Sequence, residues 1–442
     1  LESLPPCDTT ALDAVTATVD ITFWHGMNGD LEDSLTALTD EYNASQTKVK
    51  VSLENQGGYE QTLDKYLQSS QDSRPEMVQA PEYAVQVMGD TDSNVPVGAC
   101  IESAAYDTSD FLPKALNQYF TEGVQWSMPF NVSDPVLYYN KKVFKAAGLD
   151  PNKPPTNMAE LRTMSQAIVD SGAAGYGLSL DTGADSGGGW FLEQWFAKLG
   201  ELFSDNDNGR LAPSTKVNFD SQVGIDLLTD LQSLVNDGLA YNVGDNASGQ
   251  DALLKLADPD KAAAMTIATS AALGTVLTTV QGGLIPGITT DDIGVGPMPA
   301  PGDADAPGAI VGGASLWIVN HDDPAKAAAV WDFISFLISA ESQSTWAAAT
   351  GYVPVRSSAL EVGAIAEKYK TDPRFKVAYD QLLQAADSPA SLGAILGPQR
   401  EIRTLSARAI ATVLQGGDVT AALTDAATQA NALLSAYIAA NQ

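Results

Sequence analysis

The alternation and spacing of apolar positions divide this chain into α/β units. Val19 to Trp24 alternates as a strand, His25 to Gly29 is a glycine-rich turn, and Asp30 is placed to cap a helix running to Tyr42. Lys48 to Leu53 is the next strand. This β-α-β opening predicts a parallel sheet with right-handed crossovers. Open parallel sheets bind ligands past the carboxyl ends of their strands. The turns at 25–29 and 55–59 lie there. So does the turn after the run Met77 to Ala80, where Pro81, Glu82 and Tyr83 begin a helix. A helix over 59–71 and the segment 110–120 complete a first lobe.

The pattern then changes. Pro129 to Asp134 reads as extended loop, because Pro135 biases Asp134 away from helix. Val136 to Tyr139 is an apolar strand, Asn140 can cap a helix from Lys141 to Ala147, and Gly148 can end it. A second α/β unit therefore starts about a third of the way along. Asn131 to Asp134 is expected to be a hinge with its polar side chains facing a gap between two lobes.

Further on, the pattern predicts helices at 156–171, 219–237, 249–256 and 271–280, with strands at 176–179, 262–266, 292–298 and 310–319. Asp181 to Gly189 is a Gly/Ser/Asp-rich loop before an aromatic-rich helix from Trp190 to Leu199. Helices at 324–339, 341–349, 358–370, 372–386, 399–415 and 418–440 close the chain. Second and third crossings between lobes are placed at 262–266 and 310–319. The first lobe is then 1–133 with 269–314, and the second is 134–268 with 315–442. Residues 1–17 lack periodicity and read as a surface tail. Ser204 to Gly209 looks like a calcium loop. It lacks the glycine at the sixth position from Asp205 and the distal glutamate, so it reads as a turn.

Composition narrows the picture. A chain of 442 residues with 44% hydrophobic content can bury sizeable cores in two or three domains. No run of about 18 apolar residues is present to span a membrane. A net charge of −31 argues against nucleic acid as a partner. Two cysteines, Cys7 and Cys100, fit one disulfide in an oxidising compartment, with two unrelated thiols as the alternative. With only His25 and His321 to add, no zinc site is expected, and no cofactor is implied.

The segment PFNVSDPVLYYNKKVF (129–144) resembles the hinge of extracellular solute-binding proteins of carbohydrate-type ABC importers. ITFWHGM (21–27), GGYEQTL (57–63), AAMTIATS (263–270), VGGASLWI (311–318), TGYVPV (350–355) and LGPQREIR (396–403) resemble the same group, in its order. Within it, the likeness is to the binding components for glycerol-3-phosphate and glycerophosphodiester uptake. The resemblance implies a two-lobe α/β fold of the larger, maltose-binding type with three hinge crossings and a ligand cleft between lobes. It implies no catalysis, permease subunits as partners, a monomer, and an extracellular or periplasmic place, with lipoprotein anchoring in Gram-positive members. Neutral di- or oligosaccharides are the alternative ligands.

The resemblance also implies ligand contacts. Tyr59 is a first-lobe contact, Glu82 an acceptor for ligand hydroxyls, Ser133 the hinge hydroxyl, and Trp190 a second-lobe stacking face. The related glycerol-3-phosphate binders carry a second tryptophan three residues earlier, where this chain has Gly187. Ser270 is expected both to cap helix 271–280 and to touch ligand. Gly313 lets backbone approach the ligand, and Tyr352 supplies a phenol from the second lobe. Arg403 is the planar cation for a phosphate, with Arg400 as a substitute; pairing with Glu401 or a neighbouring helix is the structural alternative. Asp134 sets a negative charge beside any phosphate. His25 is read as structural or cleft-lining, and a Glu82/Asp134 glycosidase pair is a remote enzymatic alternative.

Overall fold

The computed structural model describes residues 4–245, 250–258 and 262–441. The expected tail over 1–17 and helix over 249–256 therefore each begin at residues outside the described ones. The chain forms two compact units, Leu1–Ser133 with Val311–Thr371, and Asp134–Ile310 with Asp372–Gln442. The backbone passes between them three times, at 133/134, 310/311 and 371/372.

The first unit is organised on one sheet. Val19–His25 lies between Val49–Asn55 and Met77–Pro81, all three parallel, as the β-α-β pattern requires. Gly312–Val319 extends the sheet antiparallel to Met77–Pro81, and also pairs with Asn94–Val95 and Met128–Ser133. Helices Asp30–Ser45 and Pro324–Leu337 cover the sheet with aromatic contacts. Tyr42 tilts against Phe333 at 4.8 Å, and its hydroxyl donates to Asp332 at 2.6 Å. Cys7 is disulfide-bonded to Cys100, so the expected pairing holds and pins the N-terminal segment to this unit.

The second unit has a five-stranded sheet in the order Ala240–Gly244, Tyr176–Asp181, Ala263–Thr269, Pro135–Asn140, Ile293–Pro297. Asn140 ends its strand and caps helix Lys141–Ala146, its side-chain oxygen accepting from the amides of Lys142 and Val143. Trp195, Phe196, Leu228 and Ile402 are among the side chains of one continuous apolar core. Helices Gln399–Leu414 and Val419–Ala440 close the chain here. Among the described residues no helix is long and apolar enough to cross a membrane. Asn206, Asp207 and Asn208 all have positive φ, which makes this segment a tight left-handed turn, as expected.

Strand pairing overturns the predicted division after residue 268. Ala263–Thr269 is no crossing: it is an interior strand, antiparallel to Pro135–Asn140 and parallel to Tyr176–Asp181. Ile293–Pro297 then pairs with the far side of Pro135–Asn140. Residues 269–310, including helix Leu273–Gln281, thus belong to the second unit. Conversely, Gly312–Val319 joins three strands of the first unit, and its ladder bonds carry 311–371 there with it. The hinge reading of Asn131 to Asp134 changes too. Asp134 alone separates the strands Met128–Ser133 and Pro135–Asn140, and Asn131, Ser133 and Asp134 are buried.

Candidate functional site

In the first unit, Tyr59 opens helix Tyr59–Gln68 directly after the Val49–Asn55 strand and a Gly-Gly turn. Tyr352 lies just past helix Ala340–Thr350, its ring stacked on Trp346 at 5.5 Å, and Trp346 in turn stacks on Phe130 at 4.9 Å. The two phenol oxygens meet at 3.2 Å. Tyr352 is thus a contact of the first unit, not of the second as expected. The reason is that the strand before it, Gly312–Val319, pairs only with strands of the first unit.

Behind the phenols runs a line of buried amides. The amide N–H of Gly26 donates to Gln79 Oε1 at 2.9 Å, and Gln79 Nε2 donates to Asn131 Oδ1 at 2.9 Å. Asn131 Nδ2 then donates to Tyr59 Oη at 2.6 Å. Gln79 and Asn131 are both 0% exposed. Burial pushes the Tyr59 phenol well above its ordinary range, with Tyr352 and Glu82 adding to the rise. Burial raises Tyr352 as well. Glu82 starts a short turn after the Met77–Pro81 strand and is nearly buried.

Ser133 ends its strand opposite Gly312 and is buried. Gly313 is needed for a reason other than ligand approach. Its φ is +91°, and a Cβ there would sit 1.9 Å from the carbonyl oxygen of Asn131, so the close approach is between two strands.

In the second unit, Asp181 Oδ1 accepts from the amides of Gly183 and Gly187 and from the Ser186 hydroxyl, which folds the Gly-rich loop. The loop delivers Trp190 to the start of helix Trp190–Lys198. Trp190 is 6% exposed and part of the apolar core, and its indole nitrogen has no hydrogen-bond partner. At Gly187 a Cβ would lie 1.9 Å from the carbonyl oxygen of Asp181, so no side chain fits at this position.

Ser270 is buried, and its hydroxyl accepts from the Asp134 amide at 3.4 Å. The capping expectation moves by one residue: Thr269, not Ser270, accepts from the Ala271 amide. Ser270 instead opens the short 3-10 turn Ser270–Ala272, which precedes helix Leu273–Gln281.

Arg403 is 3% exposed on helix Gln399–Leu414. Its Nε and Nη2 donate to the two oxygens of Glu193 at 2.8 and 2.9 Å, and Nη1 is 3.7 Å from Asp185. Gln399 gives Glu193 a third hydrogen bond at 3.1 Å. The neighbouring-helix pairing is therefore the one realised. Arg400 pairs with Glu401 at 3.2 Å. His25 is buried, accepts from the Met27 amide and is held below its usual pKa by burial, a structural role.

Sequence reading missed Gln79, Asn131's part in the amide line, and Glu193. Each had one visible signal: a polar residue at a position where its strand or helix is otherwise apolar, as in Met-Val-Gln-Ala-Pro and Trp-Phe-Leu-Glu-Gln-Trp-Phe.

Residues 28–344 match the family described as bacterial extracellular solute-binding protein. The sn-glycerol-3-phosphate-binding periplasmic protein UgpB of Pectobacterium atrosepticum is 30% identical over 431 residues, covering 95% of this chain and 92% of that protein. Its namesake in Yersinia pseudotuberculosis is 30% identical over 440 residues, covering 96% and 94%. Among solved structures, UgpB from Mycobacterium tuberculosis in complex with glycerophosphocholine superposes with a TM-score of 0.78 at 21% identity, covering 96% and 100%. The cyclic alpha-maltosyl-1,6-maltose binding protein from Arthrobacter globiformis gives 0.74 at 24%, covering 95% and 99%. The fold is the two-lobe α/β fold of the larger, maltose-binding type. The chain belongs to the bacterial extracellular solute-binding protein family.

Proposed function

We propose that this chain is the binding component of an ABC importer that captures glycerol-3-phosphate or a glycerophosphodiester such as glycerophosphocholine. The observation that carries this reading is the 30% identity, over 95% of the chain, to a relative named for binding sn-glycerol-3-phosphate. The solute is held by Tyr59, Glu82, Ser133, backbone at Gly313, and Tyr352 from the first unit. Trp190, Ser270 and Arg403 contribute from the second. A carboxylate suits glycerol hydroxyls, phenols suit phosphate oxygens, and an indole face suits C–H surface or a choline cation. Hinge closure supplies affinity without chemistry. Delivery is to permease transmembrane subunits, by a monomer, tethered as a lipoprotein at the outer face of the membrane or free in the periplasm.

A second reading has one observation in its favour. Arg403 is already matched by Glu193 and Asp185, so a phosphate gains this cation only by sharing it. A neutral di- or oligosaccharide needs no free cation.

Thermal unfolding with glycerophosphocholine, glycerol-3-phosphate, maltose and trehalose separates the two. A ligand at about 100 times its Kd stabilises the native state by about 2.7 kcal/mol. We expect the two phosphate-bearing solutes to raise the midpoint and the sugars to leave it unchanged. Shifts with sugars alone would establish the second reading. Following the same solutes by NMR should show no turnover; released product would mean a secreted glycan-active enzyme.

A further inference from the structure

We propose that Gln79 and Asn131 are positioning residues that set the hydrogen-bond polarity of the Tyr59–Tyr352 pair, so that it offers the solute a donor and selects an anionic oxygen there. The inference rests on the ligand reading above and adds which atoms of the solute face this wall.

The argument starts from a group with no choice. A backbone N–H can only donate, so the Gly26 amide requires the oxygen of Gln79 to face it. Gln79 must then turn its NH₂ toward Asn131, which must answer with its oxygen. Asn131 is left with its own NH₂ directed at Tyr59 Oη. The orientation of both amides thus follows from one peptide group. Tyr59 oxygen, already accepting, is the better donor of the two phenols, because hydrogen bonds in a chain polarise one another. Its proton goes to Tyr352, 3.2 Å away.

Two phenols hold two protons, and the bond between them uses one. Asn131 also lies against Tyr352, but with its donating NH₂ side, so the second proton, on Tyr352, has no acceptor among the described residues. It is the free end of a chain running Gly26, Gln79, Asn131, Tyr59, Tyr352. A phosphodiester oxygen accepts such a proton in a short, charge-assisted bond. Both hydroxyls stay protonated through neutral pH, since burial pushes them upward.

The chain can be reversed from its far end. In Gln79→Glu the ionised carboxylate only accepts, so Asn131 must turn its NH₂ toward residue 79 and its oxygen toward Tyr59. Tyr59 then donates to Asn131, Tyr352 donates to Tyr59, and no proton is left for the solute. Binding of glycerophosphocholine, measured calorimetrically, should weaken at least about tenfold at pH ~8. It should recover at pH ~5 as the buried carboxyl takes up its proton and donates again. Gln79→Met removes the constraint without imposing the opposite one, and should lose about threefold or less at both pH values.

Equal binding by wild type and a folded Gln79→Glu at pH ~8, or a loss that pH ~5 does not relieve, would overturn the proposal. Should Gln79→Glu fail to fold, Asn131→Asp reverses the same chain one step later and is judged by the same pH profile. Failure of wild type itself to bind glycerophosphocholine would instead remove the ligand reading, and this selection with it.

Discussion

Arg403→Ala should lower the stability of the second unit by about 3–5 kcal/mol, the usual cost of removing one partner from a buried ion pair. Arg403 and Glu193 are each 3% exposed, and the guanidinium grips both carboxylate oxygens. Removing it leaves Glu193 with Gln399 as its remaining hydrogen-bond donor in the pair's immediate surroundings. A buried carboxylate cannot be held by one amide without a large desolvation cost. The joint replacement Arg403→Met with Glu193→Leu should recover most of the loss, because it removes both charges and fills the space. Urea unfolding of the single and double variants measures both effects. The same proteins also test the phosphate role. If Arg403→Ala abolishes glycerophosphocholine binding while costing less than about 1 kcal/mol, the arginine's chief partner is the solute and not Glu193.

Local chemistry was legible in the sequence wherever neighbours along the chain decide the outcome. The β-α-β start, the Asn140 cap, the turn at 204–209 and the first crossing at 133/134 are of this kind. Partners far along the chain were not legible. Ala263–Thr269 and Gly312–Val319 are both small-residue or apolar strands, and nothing in their composition says which sheet each completes. That is why Tyr352 was assigned to the wrong unit. The same limit applies to Arg403, whose partner lies 210 residues away. Gly313 and Gly187 show a subtler gap. A glycine announces a close approach, but only the fold shows that the approaching atoms are the carbonyls of Asn131 and Asp181.

The second large effect concerns Asp134 and Lys198, buried charges within the second unit. Lys198 donates to the carbonyls of Ala306 and Gly308 at 3.2 and 2.6 Å, and burial brings it down to about 8, with Asp134 opposing the fall. Neither carboxylate oxygen of Asp134 has a hydrogen-bond partner. Burial pushes this acid well above the ordinary carboxylate range, and Gln381 and Lys198 offset that only in part. A lysine depressed from 10.5 to about 8 loses its proton in the native state before the unfolded state does. Between those values the unfolded chain binds more protons, so this group makes stability rise with pH, by about 3 kcal/mol in all. Asp134 acts the opposite way from about pH 4 upward: the native state holds the proton that the unfolded state has released, and stability falls as pH rises through that window. Asp134→Asn should abolish the acid-side decline and move the lysine titration further down, because its compensating charge is gone. Asp134→Asn with Lys198→Met should unfold at higher urea than wild type at neutral pH, by about 1–4 kcal/mol, with a flatter profile from acid to alkaline pH. An unchanged profile in the double variant would show that neither burial is felt as charge. A destabilised one would show that the pair is held by an attraction stronger than its desolvation.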